Sequence, residues 1–523
     1  MALTSELTVA ERGGATNTSA PLVLLAALAA LVCATPALAA VLFSLAPSGG
    51  TLAAGGLLRD GVFGTLALVL VGGGGALLLG ATGAWLVSLC SFPGRAAFEW
   101  LLVLPLAAPS YVLAYSYASL TWAGGPIPLA VDGFWGAAFV YAVGLYPYVY
   151  LAMRAGLAGR HAIAFEAARS LGARPGELFW RVALPLARPA LVAGAALAAM
   201  EIAADYGAAQ HFGLTTLSTA VFRAWYSHGE PVSALRIAAV LLAGALALLI
   251  AERAARGRAR FHLARWRPMA RIILSPSASA AAFGFCAVLV VLGAGLPLAW
   301  LGRLALLHAN VEDLTGPTIN TIVLASVGAL ATLCCAVVIA IAARRGGAGA
   351  RLAAFVAGAG YAAPGAVIAF GALMMFGAAR NAGWVGGLGS GVALTALLWT
   401  YVARFTAAGV QPIQAGLARA PADIDAAAAT LGAGSWRRLI RIDMPVAAPS
   451  LAAAALILFV EIVKELPATL ILRPLNFDTL AVKAHAYASD ERLLEAAAPA
   501  LLIFAAGLAP LLILSRGISR ATP

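Results

Sequence analysis

Long apolar runs, each near or above the length that crosses a lipid bilayer, recur along the whole chain. About 20 apolar residues span the hydrocarbon core as a helix, and lipid admits only helices or closed barrels, because every backbone polar group must be bonded internally. Of the 523 residues, 62% are hydrophobic and only 11% are charged, against roughly 25% charged in ordinary soluble domains. This composition excludes a soluble fold, and we expect an all-α polytopic membrane protein.

The apolar runs predict about twelve transmembrane helices. With the N-terminus in the cytoplasm, 25 of the 34 Lys and Arg residues fall on the inner side and 9 on the outer side, which satisfies the positive-inside rule. We therefore expect a multi-pass membrane protein with both termini in the cytoplasm. The stretch Ala34 to Ala40 has the small residues of a signal-peptide cleavage site, but Glu6 and Glu11 before it favour a retained span. The predicted spans lie at 20–46, 62–89, 97–118, 133–153, 188–210, 234–251, 280–302, 318–343, 352–376, 384–406, 447–466 and 494–515.

An arginine-rich segment, 253–272, divides the chain into two halves of similar length. It lacks regularly interleaved stacking aromatics, so it indicates a cytoplasmic linker held near anionic headgroups rather than a nucleic-acid arm, and we expect no nucleic-acid partner. The division predicts a first repeat at 1–252 and a second at 273–523. Their cores are expected at 58–251 and 318–515.

The two halves resemble one another at an offset of 260 residues. Further upstream, Pro109 pairs with Pro364 at an offset of 255. Six spans per half is an even number, so both copies enter the membrane from the same side and are related by an axis along the membrane normal. A substrate route between the repeats is the expected consequence. The pairs at offset 260 are Gly172 with Gly432, Pro185 with Pro445, Glu201 with Glu461, and Thr219 with Thr479.

Each half carries a cytoplasmic loop with the same pattern, at 160–188 and at 419–447. The pattern predicts a short helix, a glycine where the chain turns, a second amphipathic helix, and a proline that opens the next span. An exposed, charged helix pair of this kind predicts a docking surface. The residues that carry the pattern are Glu166, Ala167, Ala168, Gly172, Leu184 and Pro185 in the first loop, and Asp425, Ala426, Gly432, Met444 and Pro445 in the second.

The two loops resemble the EAA loops of ABC-importer permeases of the binding-protein-dependent (type I) family, whose pattern is Glu-Ala-Ala, then Gly, then Ile-x-Leu-Pro. The resemblance implies the type I permease fold in the bacterial cytoplasmic (inner) membrane. It also implies two copies of an ABC ATPase docked on the loops, and an external binding protein that delivers substrate. The second loop departs from the pattern, because Ala426 follows Asp425 where glutamate is expected and Met444 replaces leucine. We therefore expect a weaker second contact. Amphipathic helices that lie on the membrane without a partner are the alternative.

The chain shows no nucleotide-binding or catalytic motif of its own. A P-loop needs a lysine before Ser or Thr, whereas Lys464 lies in Ile-Val-Lys-Glu and Lys483 in Ala-Val-Lys-Ala. We expect no enzyme activity and no cofactor in this chain, with ATP and Mg bound by the partner ATPase. No Cys or His spacing suits a metal site, and each of the six histidines is expected to be solvated or loosely packed. The glycines at 72–75 are expected to allow close helix packing.

Two blocks narrow the substrate. Residues 200–225 and 461–481 are similar to the fused two-repeat permeases of bacterial ferric-iron importers. The resemblance implies transport of ferric iron. Related fused permeases for thiamine or phosphonates leave those substrates as alternatives, and an ion-gradient-driven secondary transporter is the alternative of another class.

Ionisable residues at the outer ends of the fifth and eleventh spans are candidates for the route, because charges in a membrane usually face a cavity or one another. Their carboxylates suit a hard trivalent cation. A structural ion-pair network that includes Arg223 and Arg473 is the other possibility, and the residues alone do not decide between them. The candidate pathway residues are Glu201, Asp205, Glu461, Lys464 and Glu465.

Overall fold

A computed structural model of the chain provides the fold. It describes residues 20–47, 52–121, 127, 130–157, 162–257, 271–308, 311–384, 389–418, 424, 427–428 and 430–519. Most of the predicted linker and two predicted site residues, Asp425 and Ala426, therefore lie outside the described residues.

The described part of the chain is built almost entirely from helices. Up to residue 257 these are α1 (Ala20–Ser44), α2 (Leu52–Leu68), α3 (Gly74–Leu89), α4 (Arg95–Leu101), α5 (Ser110–Thr121), α6 (Gly133–Leu157), α7 (Ala162–Ser170), α8 (Pro175–Glu177), α9 (Leu184–Ala204), α10 (Gly207–His211), α11 (Leu217–Phe222) and α12 (Pro231–Gly257). Beyond it are α13 (Pro276–Val290), α14 (Leu296–His308), α15 (Val311–Arg345), α16 (Ala348–Ala362), α17 (Gly365–Asn381), α18 (Ser390–Leu417), α19 (Ser435–Arg438), α20 (Met444–Val463), α21 (Pro467–Leu472), α22 (Leu480–Ser489) and α23 (Leu493–Ser519).

Short irregular segments join or interrupt these helices. One pair of two-residue strands, β1 (Cys90–Ser91) and β2 (Ile272–Ile273), runs parallel with Cys90 opposite Ile272. A 3₁₀ turn lies at Leu104–Ala107. The π-helical segments are Val69–Gly73, Leu178–Ala183, Arg223–Ser227, Val291–Gly295 and Leu439–Asp443.

Among the described residues, nine helices are long and apolar enough to cross a membrane, or ten when the bent pair Arg95–Ala107 and Ser110–Thr121 counts as one span. Each of the twelve predicted spans coincides with helix, but the count of twelve is not confirmed. The helix breaks near the paired prolines in both halves. The third predicted span bends by 91° at Pro109, and the ninth is divided into α16 and α17 at Pro364. Val112 donates to the Pro109 carbonyl as Val367 does to that of Pro364, so the offset of 255 holds in the backbone.

The described residues form two compact units. The first contains Met1–Ala39, Ile322–Ala363 and Ile368–Ile462. The second contains Ala40–Thr321, Pro364–Val367 and Val463–Pro523. These units are not the two sequence halves, and the repeat boundaries remain a prediction.

Each unit includes a helix that belongs to the other half of the sequence. In the first unit, Trp399 on α18 donates from Nε1 to the carbonyl of Val32 on α1 at 2.8 Å. In the second unit, Trp300 on α14 donates to the hydroxyl of Ser119 on α5 at 3.1 Å. The first long helix of each half therefore packs on helices of the other half.

The core of the second unit lies where α6 packs along α3 and α9. Small residues allow these helices to approach closely. A Cβ on Gly80 would lie 2.5 Å from the carbonyl oxygen of Tyr146, and one on Gly75 would lie 2.8 Å from the Cβ of Ala142. The close packing predicted for the glycines at 72–75 is thus confirmed at Gly75.

Candidate coupling loops and substrate route

The first predicted loop folds as a helix, a left-handed glycine and a second helix. Helix α7 ends just before Gly172, whose φ is +83°. Its amide donates to the carbonyl of Arg169, and the Ala173 amide donates to that of Ala168 at 3.1 Å, an arrangement that satisfies carbonyls at the helix end. A π-helical segment follows, and α9 begins at Leu184 with Pro185 in its first turn.

The second loop repeats this backbone at the same offset of 260. Gly432 has a φ of +72°, and the Ala433 amide donates to the Ala428 carbonyl at 2.9 Å. A π-helical segment again leads into a helix, α20, which begins at Met444 with Pro445 next. The two loops are therefore matched in backbone conformation where the structure describes them.

Both loops expose apolar side chains at equivalent positions. Leu171 is 89% exposed and Leu431 is 85% exposed, each immediately before the left-handed glycine. Trp180 and Ile440, also related by 260, are 67% and 50% exposed. Exposed apolar side chains that cluster on a charged loop indicate a protein interaction surface. In the first loop, Glu166 and Ala167 are exposed as well and Ala168 is half-buried.

The second loop is tied to a long helix by a buried ion pair that the sequence did not predict. Asp443, 2% exposed, lies 3.1 Å from Nη2 of Arg345 and 3.8 Å from Nε of Arg344, at the end of α15. Arg344 also donates to the Leu417 carbonyl. The equivalent position in the first loop is Ala183, so this ionic tether is specific to the second loop.

Two of the predicted pathway carboxylates cap short helices at equivalent positions. Asp205 accepts a hydrogen bond from the Ala208 amide at 2.9 Å, at the start of α10. Glu465, which is buried, accepts from the amides of Ala468 and Thr469 at 3.0 Å each, at the start of α21. Asp205 and Glu465 are related by the offset of 260 residues. Each carboxylate lies one residue before the helix N-cap, which is Tyr206 or Leu466, and accepts from amides at the start of the helix.

The two carboxylates lie near the same aromatic side chain, that of Tyr111. Tyr111 lies within electrostatic range of both Asp205 and Glu465, and its hydroxyl donates to the Lys464 carbonyl at 3.2 Å. Glu201 lies in the last turns of α9 in the second unit, half-buried, whereas Glu461 lies on α20 in the first unit. The role of Glu201 and Glu461 on a substrate route therefore remains a prediction.

One pairing within the repeat is corrected by the structure. Thr479 is the N-cap of α22, but the N-cap of the equivalent helix α11 is Thr216 rather than Thr219. The next amides confirm this equivalence, because Leu217 donates to the hydroxyl of Thr65 and Leu480 to that of Thr321, both at 2.8 Å. The offset here is 263, since the loop before α22 is longer.

The capping role of Glu465 gives a first prediction. Glu465→Ala leaves the amides of Ala468 and Thr469 without their buried acceptor, so we expect a loss of about 1–3 kcal/mol in the free energy of unfolding. Thermal unfolding of the detergent-solubilised protein measures this. Glu465→Gln keeps an acceptor oxygen and should lose less. Uptake per folded protein should stay near normal in Glu465→Gln, and its complete loss would instead place this carboxylate in the transport chemistry.

A buried histidine was missed by the sequence reasoning. His485 on α22 is 8% exposed, not solvated or loosely packed as predicted, and its Nδ1 lies 2.8 Å from the hydroxyl of Tyr115. Burial lowers the pKa of His485 to about 4, so the ring is neutral near pH 7. His211 packs edge-on against Tyr115 at 5.0 Å. A lone histidine in an apolar helix gives no pattern that predicts this contact. Within the described residues, no three His, Cys, Asp or Glu side chains lie close enough to hold a metal ion.

Comparison with known proteins shows which family of membrane proteins this chain belongs to. The family model of binding-protein-dependent transport system inner membrane components matches residues 76–260. The molybdenum transport system permease protein ModB of Escherichia coli (strain K12) is 31% identical over 189 residues, which cover 33% of this chain and 82% of that protein. The chain belongs to this family of transport permeases. It is a multi-pass inner-membrane permease, and its relatives are transport permeases rather than enzymes.

The permease is similar to a further relative along most of its length. The Fe(3+)-transport system permease protein FbpB 2 of Haemophilus influenzae is 26% identical over 441 residues, 82% of this chain and 84% of that protein. The sulfate transport system permease protein CysT of Escherichia coli (strain K12) is 33% identical over 133 residues, 24% of this chain and 48% of that protein. Membership of the family implies a binding protein and an ATPase as partners of the permease.

Proposed function

We propose that this chain is the membrane-spanning subunit of an ATP-driven importer of ferric iron. The assignment of ferric iron as substrate is supported by the match to an Fe(3+)-transport permease, which extends along 82% of the chain and so covers both halves. The ModB match covers 33% of the chain. The paired loops support the mechanism, because each presents the same left-handed glycine beside an exposed leucine.

Two copies of an ABC ATPase would dock on these loops, one on each. The ATPase subunits would bind ATP and Mg, and their closure would pull on α9 and α20, which follow the π-helical segments of the loops directly. Hydrolysis would then take place outside this chain. An external binding protein would deliver the iron, and both termini of the permease would lie in the cytoplasm, as the Arg and Lys asymmetry favours.

Of the candidate pathway residues, this proposal keeps Glu201 and Glu461 as groups that contact the passing iron. Asp205, Glu465 and the carbonyl of Lys464 have the structural contacts described above. A carboxylate that binds iron weakly would suit passage, because conduction requires a site that releases what it binds.

Molybdate or sulfate is the second candidate substrate, favoured by the matches to ModB and CysT. Thiamine and phosphonates gain no comparable support from the relatives described above. The ion-gradient-driven alternative would leave the matched coupling loops without a partner.

Uptake in cells tests the substrate. A strain that lacks the permease gene would be supplied with labelled ferric iron, molybdate and sulfate, with and without the gene restored. We expect restored uptake of iron alone. Restored uptake of molybdate or sulfate, with iron unchanged, would contradict the ferric assignment.

A further inference from the structure

A cavity of about 510 Å³ opens in the second unit beyond the outer end of α9. Its volume is in the range of small-molecule sites. It is formed by α10, α11 and the π-helical segment Arg223–Ser227, all from the first half of the sequence. The side chains that matter for the argument are Tyr206, Gln210, Thr219, Phe222, Arg223 and Tyr226.

Rigid contacts shape the cavity wall. The ring of Tyr206 stacks on that of Phe222 with centroids 3.8 Å apart, and Phe222 in turn stacks with Tyr226 at 6.1 Å. Thr216 and Thr219 form a capping box that fixes the start of α11. The walls are thus held by ring stacking and by helix capping, so they are formed before any ligand binds.

The cationic group in the cavity wall is oriented. Arg223 Nη1 donates to the hydroxyl of Thr215 at 2.8 Å. A guanidinium carries five N–H donors, of which this bond uses one. Around it lie the amide of Gln210 and the phenols of Tyr206 and Tyr226, which can donate hydrogen bonds to oxygen, whereas the Thr219 hydroxyl already donates to the Leu214 carbonyl.

No carboxylate lines the cavity among the described residues. The acidic residues that flank the lining segments in sequence have contacts of their own: Asp205 accepts from the Ala208 amide, and Glu230 accepts from the Ser233 hydroxyl at 2.7 Å. In the second half, Asp478 forms an ion pair with Arg473. The charge of Arg473 also acts on the phenol of Tyr226. The described lining thus presents one guanidinium and no carboxylate to a ligand, which favours an anion over a bare cation.

The lining of this cavity is specific to the first half of the chain. Structural features recur in both halves: the capping carboxylate, the threonine N-cap and the threonine that accepts from the next amide. The cavity residues do not recur. At the equivalent positions of the second half, Arg223 is replaced by Ala486, and Tyr226 by Ser489.

We propose that this cavity binds the anionic oxygen atoms of the cargo, so that the permease receives its substrate as an oxyanion or as an anion-bearing ferric complex. The inference rests on the proposed function in that the anion travels with the transported species. Charge-assisted hydrogen bonds from a guanidinium match planar or tetrahedral oxygen groups well.

Direct binding tests the proposal. The purified full-length permease would be dialysed against labelled molybdate, sulfate, phosphate and ferric citrate in separate experiments. We expect wild type to bind at least one probe, and Arg223→Gln to weaken that binding at least ~10-fold, the scale for loss of a charged hydrogen bond. Arg303→Gln is the matched control, because Arg303 is exposed over the Trp300 ring, away from the cavity. Tyr226→Phe, at a 59% exposed position, serves if Arg223→Gln does not fold, and should weaken binding by several fold.

The probes separate the two sources of the anion. Arg223-dependent binding of molybdate, sulfate or phosphate supports a free oxyanion, and Arg223-dependent binding of ferric citrate alone supports a ferric complex. The proposal is overturned if no probe binds wild type, or if the cavity variants bind as wild type does. Neither ATPase nor uptake enters this assay, so a failure of iron uptake in cells would contradict the proposed function without affecting this result.

Discussion

Gly172→Asp is expected to abolish uptake while the permease still inserts in the membrane. A Cβ at residue 172 meets no atom within 4 Å, so packing is not disturbed, but the φ of +83° strains any side chain and the added charge lies beside exposed Leu171. The loop surface would therefore change shape and charge where we propose that the ATPase docks. We expect ATPase retention on the purified permease to fall ~10-fold or more, the scale of a lost interface hot spot.

The loop itself supplies a matched control. A Cβ at residue 176 would also meet no atom within 4 Å, but Gly176 does not have a positive φ. Gly176→Asp therefore adds the same charge without the backbone strain. It should retain the ATPase better than Gly172→Asp does. Gly432→Asp should have the smaller effect of the two left-handed positions, because Ala426 replaces glutamate in the second loop. Normal ATPase retention by Gly172→Asp would refute the docking role of this loop.

Asp443→Asn should destabilise the permease strongly. The substitution leaves Arg344 and Arg345 charged beside a neutral amide in a buried site, and breaking one side of a buried pair costs about 3–5 kcal/mol. We expect a clear drop in the midpoint of thermal unfolding in detergent. Because Asp443 is also the last residue before α20, ATPase stimulation should fall in the protein that remains folded.

Glu495→Gln is the matched control for this ion pair. Glu495 pairs with Arg492 at the surface, where the side chains are 40% and 50% exposed. Exposed pairs contribute about 0–1 kcal/mol, so this variant should unfold close to wild type. Equal unfolding midpoints for Asp443→Asn and Glu495→Gln would show that Asp443 does not anchor the second loop.

The sequence was most informative where local chemistry decides the structure. Apolar length predicted helices at all twelve runs, and the positions of Gly172 and Gly432 predicted the turns, because a left-handed residue is the common end of a helix. The sequence also paired Pro109 with Pro364, but it predicted unbroken spans through both prolines, and the structure breaks the helix at each. Whether such a break leaves one bent span or two short helices depends on packing, so the count of twelve did not follow.

The candidate route depended on contacts that sequence does not contain. From sequence, the carboxylates of Asp205 and Glu465 suited either cation binding or ion pairing. The structure shows a third arrangement, in which each accepts from amides at the start of the next short helix, and this depends on the chain turning just after each residue. Asp443 meets Arg345 about a hundred residues away in sequence, and His485 meets Tyr115 across the two halves. The offset of 260 paired Thr479 with Thr219, but the structural equivalent is Thr216, because the chain before α22 is three residues longer than the chain before α11.

Reconstituted transport tests the central claim most directly. Proteoliposomes would contain the permease with its ATPase facing a lumen loaded with ATP and Mg, and iron-loaded binding protein would be added outside, on the side opposite the ATPase. Control vesicles would lack ATP and Mg, the ATPase or the binding protein. We predict labelled iron transport only when ATP, ATPase and binding protein are all present. Transport driven by an imposed ion gradient, with no ATPase in the membrane, would contradict the account.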